Sequence, residues 1–406
     1  MSVVVNTLKN NKQHDREVAI QSDPPGKAQP DFGDFDQFAH AYASLAITAS
    51  FKTTPQDFIV EERLPFGLSG EGEHVWLHIR KAGCNTDWVA RMLAKLAGVR
   101  LRCIGYAGLK DRHGLTSQWF SVHLPGKEGP DWRLIESSSD EAENDPENSP
   151  ENSSENSQEQ IKILEIKRHS RKLRRGALKE NRFHIRLRSL SSTAGRSMEE
   201  IVSLMDNRCQ LIAKSGIPNY FGEQRFGRGM GNLASAVELF TNKDVRVPRS
   251  IPRHKKSIYL SAARSWIFNR ILSQRVMAGS WNRRIVGDVF MLDGKSACFQ
   301  DDASEDLNDR LSQGELHPTA VLWGEGELMT VAEAAELENR VIDTCPEFRE
   351  GLREFKVQQM RRALRVVPGD MTWTFEEGVF SLAFNLPAGC YATMVLRELL
   401  DLENVH

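Results

Sequence analysis

Residues 104–124 read IGYAGLKDRHGLTSQWFSVHL and give the strongest local signal for the fold. A short apolar run leads into a loop bounded by glycines, Gly105–Gly114, and Trp119–Leu124 then alternates as a half-buried strand does. The loop concentrates ionisable side chains around Asp111. Glycines allow a close backbone approach to a ligand, and loops between strands often position reactive groups. A charged hairpin turn, in which Asp111 fixes its own backbone, would have the same composition, so both interpretations stay open.

The segments before this loop predict further strands and a helix. Residues 51–62 mix β-branched and apolar side chains, and Val75, Leu77 and Ile79 alternate with their neighbours as strand residues do. Asn85 or Thr86 is a candidate cap for a helix that ends at Gly98, and its apolar side chains at 89, 92, 93 and 96 have helical spacing. The predicted order is therefore strand, helix, strand, loop, strand.

The remaining sequence becomes helical and then returns to strand. Residues 181–188 (NRFHIRLR) alternate with period two, and helical texture begins near Gly216, with Ser261 as a candidate cap. Further helices are predicted at 333–340, 349–364 and 392–400. Residues 380–386 alternate as a strand. This order predicts a mixed α/β (α+β) protein in which one domain is inserted into another, although two sequential domains would also satisfy the periodicity.

Charge is distributed unevenly along the chain. The formal net charge of the 406 residues is −2, but residues 137–160 hold eight acidic and no basic side chains. Without that segment and the polar residues 1–50, 49 basic side chains face 41 acidic ones. Residues 1–44 are predicted to be a flexible tail, and 137–160 a disordered acidic loop. The acidic loop is either a solvated insertion or an RNA mimic that weakens nonspecific binding by the basic body.

Two basic segments are candidates for nucleic-acid contact. Residues 167–182 carry eight Lys/Arg and form either a solvated face or a phosphate-binding surface. Residues 220–229 mix aromatics with arginine and glycine, and their aromatics favour a tight packed turn, with the arginines left as RNA-contact candidates.

Several classes of site and location are disfavoured. The six cysteines lie far apart without metal-ligand spacing, so we expect free thiols and no metal. The glycines at 222–231 match no nucleotide-binding pattern, and no G-x-S-x-G motif occurs. Neither a signal peptide nor a membrane span is indicated, which predicts a cytoplasmic protein. Because no nucleotide-binding pattern is found, no nucleotide cofactor is expected.

Nine stretches together carry a family resemblance. They are FK (51–52), PQDFIVEE (55–62), GEGEH (70–74), KAGCNT (81–86), AGLKDRH (107–113), RGALKENRF (175–183), PNYFGEQRFG (218–227), LSAARS (260–265) and LPAGCYAT (386–393). In this order they resemble the TruD-type tRNA pseudouridine synthases, over roughly residues 45–405. The N-terminal tail and the acidic segment have no counterpart in the resemblance.

The resemblance implies a pseudouridine-synthase-type mixed-sheet catalytic domain interrupted by a TRUD-type inserted domain. Its implied boundaries are 45–215 and 366–406 for the catalytic domain and 216–365 for the insertion. The implied activity is isomerisation of uridine-13 of tRNA to pseudouridine without a cofactor. The sequence does not fix the oligomeric state, and a monomer is slightly favoured over an assembly.

The resemblance also implies roles for individual side chains. Asp111 would be the catalytic nucleophile and Lys52 the cation that keeps it ionised. Asn181 and Phe183 would line the uracil pocket. Attack at C1′, attack at C6 and a glycal route are all open to such a carboxylate. Contacts to tRNA phosphates are expected from Lys172, Arg174, Arg175 and Arg225.

Two other functions remain in competition. A noncatalytic RNA-binding or RNA-chaperone protein could keep the same scaffold, but it would be free to lose Asp111, which is present. A metal-dependent RNA hydrolase is disfavoured because the Asp and His residues lack ligand spacing.

Overall fold

The computed structural model describes residues 32–112, 114–136, 160–241 and 251–401. The strands are β1 (Ile47–Ser50), β2 (Phe58–Arg63), β3 (His74–Ala82), β4 (Ile104–Tyr106), β5 (Leu115–His123), β6 (Gln160–His169), β7 (Glu180–Ser192), β8 (Ile217–Pro218), β9 (Val289–Leu292), β10 (Cys298–Gln300), β11 (Leu316–Leu322), β12 (Met360–Ala363), β13 (Arg365–Val366), β14 (Gly369–Glu376) and β15 (Val379–Pro387). The helices are α1 (Thr86–Leu96), α2 (Met198–Ser215), α3 (Gly231–Thr241), α4 (Arg253–Met277), α5 (Leu307–Ser312), α6 (Ala332–Asp343), α7 (Pro346–Glu354) and α8 (Ala392–Leu399).

Nine strands of the described residues form a mixed sheet, which is the larger layer. Its main order is β14-β15-β7-β2-β5-β3-β6, with β1 beside β7 and β4 beside β5. β2 and β5 run parallel, and the other described pairs are antiparallel. The mixed α/β architecture expected from the sequence is confirmed.

The predicted alternation in β7 sets the buried face of this sheet. Phe183 lies opposite Val60 of β2 on one side and Phe384 of β15 on the other. Helices α2 and α8 contribute to the core over this half, while α1 packs on β3 and β5 over the other half. The helix predicted between the Asn85 or Thr86 cap and Gly98 is confirmed as α1, and Val89 and Leu93 of its apolar stripe are buried.

The helical part of the chain is inserted between two short paired strands. β8 pairs with β13 through Pro218 opposite Arg365 and Ile217 opposite Val366. The chain therefore leaves the larger layer and returns to it at one place. Between these strands lie α3 to α7 and a four-stranded sheet of order β10-β9-β11-β12.

Two helix predictions in this part are wrong. Helix α4 begins at Arg253, so Ser261 lies inside it rather than at its cap. The first turns are exposed and polar, which hydrophobic periodicity does not register. The helix predicted at 349–364 is instead α7 followed by β12. Lys356 adopts a positive φ of 52° beyond the helix, and β12 pairs with the distant strand β11.

The predicted flexible tail is also too long. Residues 32–44 pack against the core, with Phe35 and Phe38 only 8% and 2% exposed. Their aromatic side chains bury enough apolar surface to order this stretch. The rest of the tail, 1–31, and residues 137–159 of the acidic segment lie outside the described residues. Among the helices that the structure describes, none has the length and apolarity to cross a membrane.

Candidate active site

The loop that follows β4 is held by hydrogen bonds from α1 and β5. Thr86 Oγ1 accepts the backbone N–H of Lys110 at 3.0 Å and donates to Gln118 Oε1 at 2.9 Å. Gln118 Nε2 in turn donates to the Gly108 carbonyl at 3.2 Å. Because Thr86 begins α1 and Gln118 lies inside β5, two regular elements fix the loop that carries Asp111.

Asp111 is paired with Lys52. Lys52 Nζ lies 2.5 Å from Asp111 Oδ2, and the two side chains are 19% and 26% exposed. Lys52 adopts a left-handed φ of 59°, and its ammonium lies 4.5 Å from the centroid of the Phe58 ring. The pair is thus partly accessible, and an ionised carboxylate is held beside a fixed cation.

Lys81 binds the backbone of the same loop. Its side chain points inward in β3 and is 1% exposed. Nζ donates to the Cys84 carbonyl at 2.6 Å and to the Asp111 carbonyl at 3.4 Å. Burial lowers the pKa of Lys81 to about 8, and the nearby carboxylates oppose that change. Sequence reasoning missed this residue, although continuing the inward series Val75, Leu77 and Ile79 by one step would have found it.

A buried ion pair connects the loop to β2 and β7. Lys110 Nζ lies 2.9 Å from Glu62 Oε1 and donates to Asn181 Oδ1 at 2.7 Å. Glu62 Oε2 accepts the Trp119 backbone N–H at 2.9 Å. Burial raises the pKa of Glu62, while Lys110 and the Trp119 N–H act in the opposite direction. From the sequence, Lys110 is one of the cations in the Asp111 loop, but its pairing with Glu62 was not foreseen, because that pairing depends on strand register.

Phe183 lies on the same face of β7 as Asn181. It is 7% exposed, with its ring stacked on Phe384 at 5.5 Å and tilted against Phe58 at 6.2 Å. The structure thus brings Lys52, Asp111, Asn181 and Phe183 into one connected cluster, through Lys110 on one side and Phe58 on the other.

The cations predicted to contact phosphates in the basic segment 167–182 line a separate groove beside the loop that carries Asp111. The groove has a volume of about 500 Å³ and is lined by Asp87, Tyr106, Lys172, Arg174 and Arg175, among others. The Arg175 guanidinium lies 5.7 Å from the Tyr106 ring centroid, and Lys172 donates to the Arg102 carbonyl at 2.5 Å. Burial, followed by the hydrogen bond to Asp87, raises the pKa of the Tyr106 hydroxyl.

Arg225 lies in a different environment. It donates to Tyr391 Oη at 3.2 Å and to Ser261 Oγ at 3.1 Å, and it packs 5.3 Å from the Phe221 ring centroid. None of these described contacts reaches the Asp111 cluster. Tyr220, Phe221 and Phe226 are buried, which confirms the packed-turn interpretation for the aromatics.

The described residues contain no group of three or more His, Cys, Asp or Glu side chains placed to hold a metal ion. The cluster offers an accessible carboxylate, its cation and a nearby amide.

Comparisons with known proteins agree with the resemblance noted in the sequence. A family model described as tRNA pseudouridine synthase D (TruD) matches residues 36–246 and 242–399. The chain is 44% identical to tRNA pseudouridine synthase D of Methylococcus capsulatus, over 92% of this chain and 97% of that protein. It is 43% identical to the protein of that name from Hydrogenovibrio crunogenus, over 90% and 96%.

A solved structure has the same fold. The crystal structure of a putative tRNA pseudouridine synthase D from Methanosarcina mazei matches with a TM-score of 0.63, covering 89% of this chain and 95% of that one. At 22% identity, this likeness concerns the fold.

Proposed function

The chain belongs to the TruD family of tRNA pseudouridine synthases, and we propose that it isomerises uridine-13 of tRNA to pseudouridine with Asp111 as the nucleophile. The observation that carries this proposal is the accessible Lys52–Asp111 pair beside Asn181 and Phe183. Such a carboxylate can attack C1′, attack C6 or remove the 2′ proton, and each route begins with an ionised aspartate next to the base.

The reaction is an isomerisation in which the bonds balance within the substrate. The N1–C1′ bond breaks, uracil turns over, and C5 joins C1′ while the C5 proton is lost and N1 gains one. No electrons are exchanged with another molecule. The chain must therefore supply positioning, charge stabilisation and proton transfer.

The target base must leave its stack to reach Asp111. Phe183 would offer an aromatic edge and Asn181 an amide to the extruded uracil. The groove lined by Lys172, Arg174 and Arg175 would hold backbone phosphates beside the loop, and Arg225 would contact RNA from the inserted part. The exposure of Arg174 and Arg175 supports this assignment.

The domain boundaries are part of this proposal. A catalytic domain formed by 45–215 and 366–406 would be interrupted by an inserted domain at 216–365. The pairing of β8 with β13 supports boundaries near 216 and 365, because the two crossings of the chain lie side by side.

The test is the variant Asp111→Asn with an unmodified tRNA transcript labelled with tritium at uridine C5. Pseudouridine formation releases this label to water. We expect at least about a 10⁴-fold loss of release, because the nucleophile is gone while the fold is kept. Gel-shift binding of the tRNA should survive.

Two controls sharpen this assay. Asp131→Asn changes an exposed aspartate away from the cluster and should release label at the normal rate. A transcript with cytidine at position 13 tests the site of modification. Turnover by Asp111→Asn at the normal rate would overturn the nucleophile, and tRNA binding without release by the unmodified protein would favour a noncatalytic RNA-binding function.

A further inference from the structure

A buried polar connection runs from Glu62 through Lys110 to Asn181. The Glu62 and Lys110 side chains are 0% and 8% exposed, and Asn181 is 9% exposed. Glu62 is fixed at its other oxygen by the Trp119 backbone N–H. The position of the Lys110 ammonium is therefore determined by β2 and β5, not by the loop alone.

The partner of Asn181 determines which way its amide faces. A lysine ammonium has three donors and no acceptor, so the atom 2.7 Å from Lys110 Nζ must be the carbonyl oxygen Oδ1. The Nδ2 amino group then points away from Lys110. In the described part of the chain Nδ2 makes no hydrogen bond, and it is not among the fully buried unpartnered atoms. A donor with solvent access is thus presented next to the loop that carries Asp111, on the far side of the amide from Lys110.

We infer that Lys110 and Glu62 are positioning residues that lock the Asn181 amide as a donor to a carbonyl oxygen of the extruded uracil. This inference rests on the proposed function, since it assigns the group that reads the substrate base. Uracil carries carbonyl oxygens at C2 and C4, whereas cytosine carries an amino group at C4. A locked donor aimed at O4 pairs with uracil and meets another donor in cytosine.

The same hydrogen bond assists the reaction. When N1–C1′ breaks, negative charge on the leaving uracil spreads onto its carbonyl oxygens. A donor fixed in advance stabilises this charge better than one that must first rotate into place. The buried pair supplies that fixation, because an amide free to rotate would offer either its oxygen or its nitrogen to the base.

The decisive variant is Asn181→Asp, assayed by tritium release under single-turnover conditions. Aspartate keeps the size of asparagine and can still accept from Lys110, but it presents an oxygen where the amino group was. We expect the maximal rate to fall on the order of 10²- to 10³-fold, with the tRNA dissociation constant changed less than about threefold. A rate within threefold of the unmodified protein would overturn the inference.

The double variant Glu62→Leu, Lys110→Met tests the positioning role. It removes both charges together, so no unpaired charge is left buried. Thermal unfolding checks that the protein folds. We expect about a tenfold lower maximal rate with tRNA binding retained, because the amide can then rotate. The double variant still tests the positioning role if Lys110→Met alone unfolds the protein. An unchanged maximal rate in the double variant contradicts that role.

Thio-substituted tRNA identifies the carbonyl. Sulfur accepts hydrogen bonds poorly, so 4-thiouridine or 2-thiouridine at position 13 should slow the unmodified protein but not Asn181→Ala. Sensitivity to the 4-thio base assigns O4 and sensitivity to the 2-thio base assigns O2. Equal effects on both proteins would overturn the inference. Activity of the unmodified protein on normal tRNA is measured alongside, and only its absence would count against the proposed function.

Discussion

Lys81 shows how strongly burial acts on a single residue of the site. The ammonium has lost nearly all contact with water, and burial lowers its pKa from 10.5 to about 8. In place of water, the ammonium donates to two backbone carbonyls, one of which belongs to Asp111. Burial of the Lys81 charge therefore lowers the free energy of unfolding, and the size of this loss depends on pH.

The sign of that dependence follows from the direction of the shift. Between pH 8 and pH 10.5 the unfolded chain still binds the proton that folded Lys81 has released. The free energy of unfolding therefore rises with pH across this window, relative to a chain without the lysine, by at most about 1.4 kcal/mol per pH unit. Below pH 8 both states are protonated and the cost is constant.

This predicts a pH-dependent difference between the unmodified protein and Lys81→Met. Urea unfolding at pH 7, 8, 9 and 10 should show the unmodified protein gaining stability relative to the variant above pH 8. Lys214→Met, at an exposed position near the end of α2, is the matched control for removal of a lysine. A difference that stays constant from pH 7 to pH 10 would contradict the assigned burial effect.

At the scale of elements, β4 and the basic segment 167–182 come into close backbone contact at a glycine of β4. A Cβ at Gly105 would lie 2.4 Å from the Leu173 carbonyl oxygen and 2.6 Å from Ser121 Oγ. Ser121 Oγ also accepts the Leu173 backbone N–H at 3.0 Å. Only glycine allows this approach, which places Lys172 and Arg174 along the groove.

Gly105→Ala should therefore push the basic segment off β4. We expect a loss of about 1–3 kcal/mol in the free energy of unfolding, the usual cost of overpacking. Gly108→Ala, in the following loop, is a matched control because a Cβ there would meet nothing within 4 Å. Its loss should stay within about 0.5 kcal/mol in the same denaturant titration. Equal losses for the two variants would show that the close approach is unimportant.

Elements with strong local periodicity could be predicted from the sequence. The alternation in β7 and β15 and the apolar stripe of α1 each reflect burial on one face, so local pattern and tertiary packing agree. The ends of helices and strands were harder to predict from the sequence. The segment that forms β12 is held by pairing with β11, a strand about forty residues earlier in the chain, and no local pattern reports such pairing.

The same distinction applies to the site. Asp111 was noticeable from its loop, and its pairing with Lys52 was expected only through the family resemblance. Glu62 and Lys110 meet because Glu62 faces inward on β2 opposite Asn181 of β7, a fact of strand register. Register depends on turns and side-chain packing across the sheet, so the sequence alone did not reveal the connection.

At the scale of the whole molecule, residues 32–44 connect parts that are distant in sequence. Glu398 of α8 accepts the backbone N–H groups of Ala41 and Tyr42, and Arg397 donates to the Phe38 carbonyl. Tyr42 Oη donates to the Gly216 carbonyl at 2.7 Å, next to the start of the inserted part. This stretch thus joins the C-terminal helix to the point where the insertion begins.

Phe38 is the apolar anchor of that stretch. Its ring lies 5.2 Å from that of Trp266 in α4 and 5.6 Å from that of Tyr220, both in the inserted part. Removing it would leave a cavity between the insertion and α8. Phe38→Ala should therefore lower the free energy of unfolding by about 3–5 kcal/mol.

The matched control is Phe66→Ala, which removes the same side chain at a position that is 43% exposed. Because half of that ring already contacts water, we expect a loss of about 1 kcal/mol or less. Both variants are compared by denaturant titration of the full chain. If residues 32–44 only lie on the surface, the two losses will be equal. A loss several-fold larger for Phe38→Ala shows that the stretch belongs to the folded unit, because only a buried ring leaves a cavity when it is removed.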